Sequence, residues 1–202
     1  MGGGPQSSGR HRVTERIDPR ITRTIDALEH AVVELAGQQP VSRISVAALA
    51  DRAQVTRATF YNHYDTPLDV LIGVLTADLD RGHQREEQWR AEGRYTGAEL
   101  LRLTTAQVVD HVERFRAVYR HALADPADRG VYDALVHHFT GYAREFMART
   151  THPDVPRTNH DVVAAFVAHG FAGAIRAWLD DDTLTKPDLV DAAVACAPTW
   201  WS

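Results

Sequence analysis

The chain of 202 residues has one cysteine, Cys196, and one lysine, Lys186, among 22 basic residues. A single thiol excludes an intrachain disulfide and suits a reducing cytoplasm; Cys196 reads as a small buried apolar group. There are five serines and no G-x-S-x-G, so the nucleophile elbow of a serine hydrolase is excluded. Glycine-rich phosphate loops and dinucleotide fingerprints are missing as well. The 11 histidines include no H-x-x-x-H and no Cys-His cluster, and the adjacent pair His137-His138 would point apart on a helix. No metal site, no cofactor and no catalytic constellation is therefore expected, and the chain does not read as an enzyme. Residues 1–20 are rich in Gly, Ser, Pro and Arg without the apolar stretch of a signal peptide. The most apolar run, Val162 to Leu179, is interrupted by His169 and Arg176. It reads as a buried bundle helix and not as a membrane span.

The apolar content of 44% is enough for a real core. The net charge of -5 is uneven. Residues 1–65 hold 8 Arg against 7 acids, a net +1 that leaves -6 for the remainder. The positive field of the N-terminal part rests on Arg10, Arg12, Arg16, Arg20, Arg23, Arg43, Arg52 and Arg57. Residues 1–17 are expected to be a disordered basic arm, with Arg10, Arg12 and Arg16 either solvated or reaching a minor groove. Asp18 and Pro19 then start a helix in which Ile21, Ile25, Leu28, Val32 and Leu35 recur at helical spacing until Gly37 and Pro40.

The run SVAALADRAQVTRATFYNHY, Ser45 to Tyr64, reads as two short helices and a tight turn. Ser45 caps the first, whose Val46, Leu49, Ala50 and Ala53 pack inward and whose N-terminal amides are free to meet a phosphate. Thr56 caps the second, expected over Arg57 to Tyr64. Phe60 and Tyr64 share the inner face, while Ala58, Thr59, Tyr61 and Asn62 point out, flanked by Arg57 and His63. Hydroxyl, amide and aromatic groups on an outer face suit phosphates and base edges better than they suit plain solvent. The DNA-contacting set is thus Ser45, Val46, Arg57, Ala58, Thr59, Tyr61, Asn62 and His63.

The octapeptide Arg57-Ala58-Thr59-Phe60-Tyr61-Asn62-His63-Tyr64 resembles the recognition helix of the tetracycline-repressor (TetR/AcrR-like) family, and the likeness extends from about Arg20 to Leu71. Two positions depart from it. Gln54 stands where the family has Gly in the turn, at a cost of ~1 kcal/mol for a left-handed residue. Asp65-Thr66-Pro67-Leu68-Asp69 stands where the family has a phosphate-binding Lys; Thr66 as N-cap and Pro67 at the first position still make a sound helix start.

The resemblance implies an all-α protein of about nine helices: a helix-turn-helix DNA-binding head over residues 18–66 and a helical ligand-binding and dimerisation body over residues 67–202. The periodicity sets a long helix from Pro67 to about Glu92, ~39 Å at ~1.5 Å per residue, able to carry movement from body to head. Further helices are expected at Ala98–Asp110, His111–Ala122, Ala127–Thr150, Asn159–Asp180 and Pro187–Ala197, with no strands. In the body, Trp89, Val108, His111, Phe115, Tyr119, His138, Tyr142, Phe146 and His169 lie on or beside apolar helix faces. Together they would line a mostly apolar pocket for an apolar or aromatic inducer of unknown identity. Val163, Phe166, Val167, Gly170, Phe171, Ala174, Ile175 and Trp178 form a face too wide for one contact; the resemblance implies that this face pairs across a two-fold. The resulting expectation is a cytoplasmic one-component regulator, a repressor by the family's habit. As a homodimer it would bind a pseudo-palindromic operator in double-stranded DNA, with half-sites ~34–36 Å apart, and a small molecule would release it. The alternative, suggested by Gln54, Pro67 and the weak basicity, is a helical small-molecule binding protein with little or no DNA affinity.

Overall fold

The computed structural model describes residues 19–201; the expected basic arm and Asp18 lie outside them. Helix α1, Pro19–Ala36, buries Leu28, Ala31, Val32 and Ala36, whereas Ile21, first of the expected stripe, is 41% exposed. A 3₁₀ turn at Val41–Arg43, not foreseen from the pattern, leads to α2, Val46–Arg52, and α3, Arg57–Tyr61. Both short helices carry the expected caps: Ser45 Oγ accepts from the Ala48 amide at 3.1 Å and Thr56 Oγ1 from the Thr59 amide at 3.1 Å. Each cap satisfies an amide that has no partner within the helix, for about 1 kcal/mol. Between them Gln54 sits in the left-handed region at φ +57°, and the Val55 amide closes the turn onto the Ala50 carbonyl at 2.9 Å.

Helix α3 is shorter than expected. The Phe60 carbonyl receives the amides of both His63 and Tyr64, at 2.9 and 3.0 Å, so the chain tightens and leaves the helical path after Tyr61. Helix α4, Pro67–Glu92, starts in a reciprocal capping box between Thr66 and Asp69 and ends at Gly93, φ +63°. Helices α5, Gly97–Arg114, and α6, Arg116–Ala124, meet at Phe115, not between Asp110 and His111 as expected. His111 is buried with both ring nitrogens bonded, which keeps it inside the helix, while buried Phe115 takes φ -105°, ψ 23° and turns the chain. A 3₁₀ turn at Pro126–Asp128 precedes α7, Arg129–Arg149. Asn159 caps α8, His160–Asp180, and a Thr185–Asp188 capping box starts α9, Lys186–Cys196, with a last 3₁₀ turn at Thr199–Trp201. Nine α-helices and no strand occur among the described residues.

One hydrophobic cluster runs without a gap from α1–α3 into the body. Leu28, Leu49, Phe60 and Leu71 are fully buried at the head, and the cluster continues through Leu75, Leu79, Val112, Leu135 and Ile175. Each such side chain is worth ~1.5–3 kcal/mol. A smaller cluster of Ala143, Phe146, Met147, Ala164 and Trp200 closes the far end. Trp178 belongs to its own chain's core and not to an outer face: its indole N–H donates to the Thr185 carbonyl at 3.1 Å and the Arg116 guanidinium lies 4.4 Å from the ring. Cys196 is exposed, contrary to the expected burial. Helix α8 is long and apolar enough to cross a membrane by length and composition. It is not the fully buried helix expected; one side packs on α7 while Val162 and Phe166 stand on the surface.

The left-handed Gln54 gives a direct test of turn strain. Gln54→Gly is expected to raise unfolding stability by roughly 0.5–1 kcal/mol in urea titration, relief of the Cβ clash outweighing the added unfolded-state entropy. An unchanged or lower midpoint would show that the turn carries no strain.

Candidate functional site

Two features of the fold have the geometry of functional sites. The first is the outer face of α2 and α3. Phe60 is buried beneath it, and the Tyr61 ring stands edge-on to Phe60 at 5.3 Å, leaving Tyr61 60% exposed. Ser45, Arg57, Ala58 and Asn62 are exposed; Val46, Thr59 and His63 are half-buried. The Thr59 hydroxyl lies 2.8 Å from that of Thr56, so part of its hydrogen-bonding capacity is used in the cap. Tyr64 turns inward beside Glu29 of α1; burial, then the Glu29 charge, raises its pKa above the ordinary tyrosine value. That contact ties the chain just after α3 to α1.

The second is a cavity of about 640 Å³ walled by α4, α5, α7, α8, α9 and Trp201. Of the nine residues expected there, Val108, His111, His138 and Tyr142 line it. The other five do not. Trp89 packs against Tyr95 at the far end of α4, Phe115 fills the α5–α6 corner, and Tyr119 lies behind His111. Phe146 stacks on Trp201 at 5.0 Å and 4°, and exposed His169 bonds its own helix at the Ala165 carbonyl. Phe166, Val167, Gly170, Phe171 and Ala174, expected on an interface, line the cavity, and the Phe171 ring meets Phe139 at 4.9 Å. Sequence reasoning missed Asp78, Arg85, Glu86, Gln107, Phe139 and Trp201. The signal for α4 was present: Asp78, Gly82, Arg85 and Glu86 share one helical face.

The cavity wall has two hydrogen-bonded polar networks. On one side the Tyr119 hydroxyl donates to His111 Nε2 at 2.8 Å, and His111 Nδ1–H donates to Asp78 at 2.7 Å. Arg114 and Arg81 complete the Asp78 shell at 2.6 Å. Burial pushes the Asp78 carboxyl up, but the hydrogen bonds from His111 and Arg81 outweigh it and hold the group below its ordinary value. Burial also holds His111 below its ordinary value against the pull of Asp78, so the ring is a neutral relay. On the other side, buried Glu86 accepts from Tyr142 at 2.6 Å and pairs with Arg90 at 2.6 Å. Burial and the Glu86 charge raise the Tyr142 pKa, keeping the phenol a donor.

No protein-family profile and no curated protein matches the chain. Solved structures do. A protein of Syntrophomonas wolfei described as a TetR-family transcriptional regulator superposes with TM-score 0.65 at 11% identity, over 86% of this chain and 92% of its own. The fatty acid degradation regulator FadR of Bacillus halodurans gives 0.60 at 15%, over 90% and 95%. RolR, solved with the ligand resorcinol, gives 0.60 at 16%, over 87% and 88%. The fold is that of the TetR-family transcriptional regulators. Both of the first two are described as regulators.

In this TetR-family fold, α1 packs against α6, and two further features join the head to the body. Helix α4 runs from beneath α3 into the cavity wall. The second junction is Asp128, 1% exposed, at the 3₁₀ turn before α7: its carboxylate accepts the Val41 amide at 2.6 Å and the Ser42 amide at 2.8 Å. Gly130 lies on the same corner, where an added Cβ would come within 3.0 Å of the Leu68 side chain.

Asp128→Ala leaves two amides without acceptors and is expected to cost roughly 2–4 kcal/mol in urea unfolding; Asp128→Asn, which keeps one acceptor, should cost less. Equal, small losses would show that water replaces the clamp. For pH, burial lowers both His111 and His138 below the ordinary histidine value. Their contribution is therefore complete above about pH 6.5 and is lost as pH falls below it, because the unfolded chain takes up protons first. Tm is expected to drop between about pH 7.5 and 5.5, and less steeply for His111→Gln; identical slopes would remove His111 from the account.

Proposed function

We propose that the chain is a one-component transcriptional repressor that binds a pseudo-palindromic operator as a homodimer and is released when a small molecule fills the cavity. The observation that carries this reading is the outer face of α3: Arg57, Ala58, Tyr61 and Asn62 stand in solvent on a helix whose Phe60 is locked into the core. A short helix held this firmly, with groups able to meet base edges and phosphates, can enter a major groove. Arg57 and Asn62 are suited to base edges, Tyr61 and His63 to the backbone.

Homodimer formation is supported by α8. Phe166 is 81% exposed, and Val162, Gly170, Gly173 and Ala177 share its surface, an apolar strip with room for close helix approach. With a two-fold there, two heads would address half-sites ~34–36 Å apart in the cytoplasm. The continuous α4 and the Asp128 clamp supply a route by which a filled cavity changes the spacing of the heads.

The test is a pull-down of sheared genomic DNA from the host by the purified protein at near-physiological salt, followed by sequencing for a shared inverted repeat. On the recovered operator, Tyr61→Ala is expected to weaken matched and mismatched sites alike. Arg57→Ala should lose roughly 10–100-fold on the matched site and relax sequence preference. Recovery of sequence-random, salt-sensitive DNA alone would move the assignment to a small-molecule binding protein with little DNA affinity.

A further inference from the structure

Three carboxylates and three arginines line the cavity, yet one arginine is left without an acid partner. The three carboxylates are all matched: Asp78 by His111, Arg81 and Arg114, Glu86 by Arg90 and Tyr142, and Asp110 by Lys186 at 2.9 Å. Arg85 is not. Its guanidinium bonds only the neutral Gln107 Oε1, at 3.2 Å, and it makes no ion pair among the described residues. Gln107 Nε2, a buried atom on the same wall, has no hydrogen-bond partner among the described residues, and neither has His83 Nδ1. The lining carboxylate Glu86 lies 3.8 Å from His83 Nδ1, and Glu87 and Glu145, near its other ring nitrogen, do not line the cavity. An unsatisfied buried amide donor calls for an acceptor. An arginine fork beside it favours a charged, planar one. Elsewhere the cavity lining includes the apolar and aromatic Leu101, Val108, Phe139, Phe171 and Trp201.

We propose that the cavity takes an apolar monocarboxylate, whose carboxylate accepts from Gln107 Nε2 and the Arg85 guanidinium and whose hydrocarbon body lies against Phe139, Phe171 and Trp201. The proposal rests on the reading of the cavity as the effector site. It adds the chemistry that the expected apolar ligand must carry: one anionic head at the α4–α5 wall. A cation would meet Arg85 with no free carboxylate to receive it, and a neutral alcohol would use only part of the donor set.

The experiment is isothermal titration of the full chain with three probes of one shape, 2-naphthoate, 2-naphthylmethanol and 2-naphthylmethylammonium. Naphthoate is expected to bind at least roughly tenfold more tightly than the alcohol, with the ammonium weakest. Arg85→Gln and Gln107→Leu should each remove most of that preference by weakening naphthoate more than the alcohol, circular dichroism melting confirming that both are folded. Alcohol or ammonium binding as tightly as naphthoate, or naphthoate affinity unchanged in both variants, overturns the carboxylate assignment and leaves the effector cavity standing. No binding by any probe at millimolar concentration overturns both.

Discussion

The carboxylate of Asp128 ties the 3₁₀ turn between α1 and α2 to the corner between α6 and α7, and it does so inside the protein. A buried carboxylate is costly unless its oxygens are satisfied, and two backbone amides are poor partners for anything else once water is excluded. The two needs meet each other, so the head can leave the body only by exposing a charge's worth of unsatisfied groups at once. Together with the gapless core from Phe60 to Ile175, this makes the orientation of α3 a property of the whole chain. For a regulator of the proposed kind that is the required condition, since a loosely hinged head could not be moved by events in the body.

The cavity imposes an opposite constraint. A space of about 640 Å³ among five helices forgoes packing that a closed core would have gained. The networks of Asp78–His111–Tyr119 and Glu86–Tyr142–Arg90 brace its sides. They hold polar side chains in single arrangements, because a buried donor or acceptor that moves loses a bond it cannot replace from solvent. Neutral His111 between an ionised Asp78 and a protonated Tyr119 satisfies every ring atom. Against such filled networks the unpartnered Gln107 Nε2 and the carboxylate-free Arg85 stand out as the part of the wall that the proposed carboxylate would engage.

Helix α8 serves both compartments. Its inner side, with Ala164, Ala168, Ala172 and Ile175, packs into the protein on small side chains that allow close approach to α7. Phe171 and Val167 face the cavity, and Phe166 stands at its edge in solvent. A partner covering the Phe166 strip would therefore lie next to the cavity wall, so that cavity occupancy and the proposed subunit contact would act on the same helix.

Much of the fold was legible in the residues themselves. The caps at Ser45, Thr56 and Thr66, the start of α4 at Pro67 and its end at Gly93 are local events, set by side chains within a few positions of each other, while the left-handed turn at Gln54 was implied by the family resemblance. The buried Phe60 beneath exposed Tyr61 followed from helical period alone. The errors lie where distant groups decide. Phe115 marks the α5–α6 break without Gly or Pro because His111, four residues earlier, is held in the helix by Asp78 and Tyr119. Trp178 looked like an outer residue until Thr185 and Arg116 enclosed it, and α4's charged half hid Glu86, whose partners come from one turn along and from α7. The sequence by itself determined the order of the helices, their caps and the outer face of α3, because those depend on neighbours along the chain. Which aromatics line the cavity, which charges are matched and which donor is left unpaired were decided only by the tertiary structure, because burial and partnership depend on groups that come close only when the helices pack.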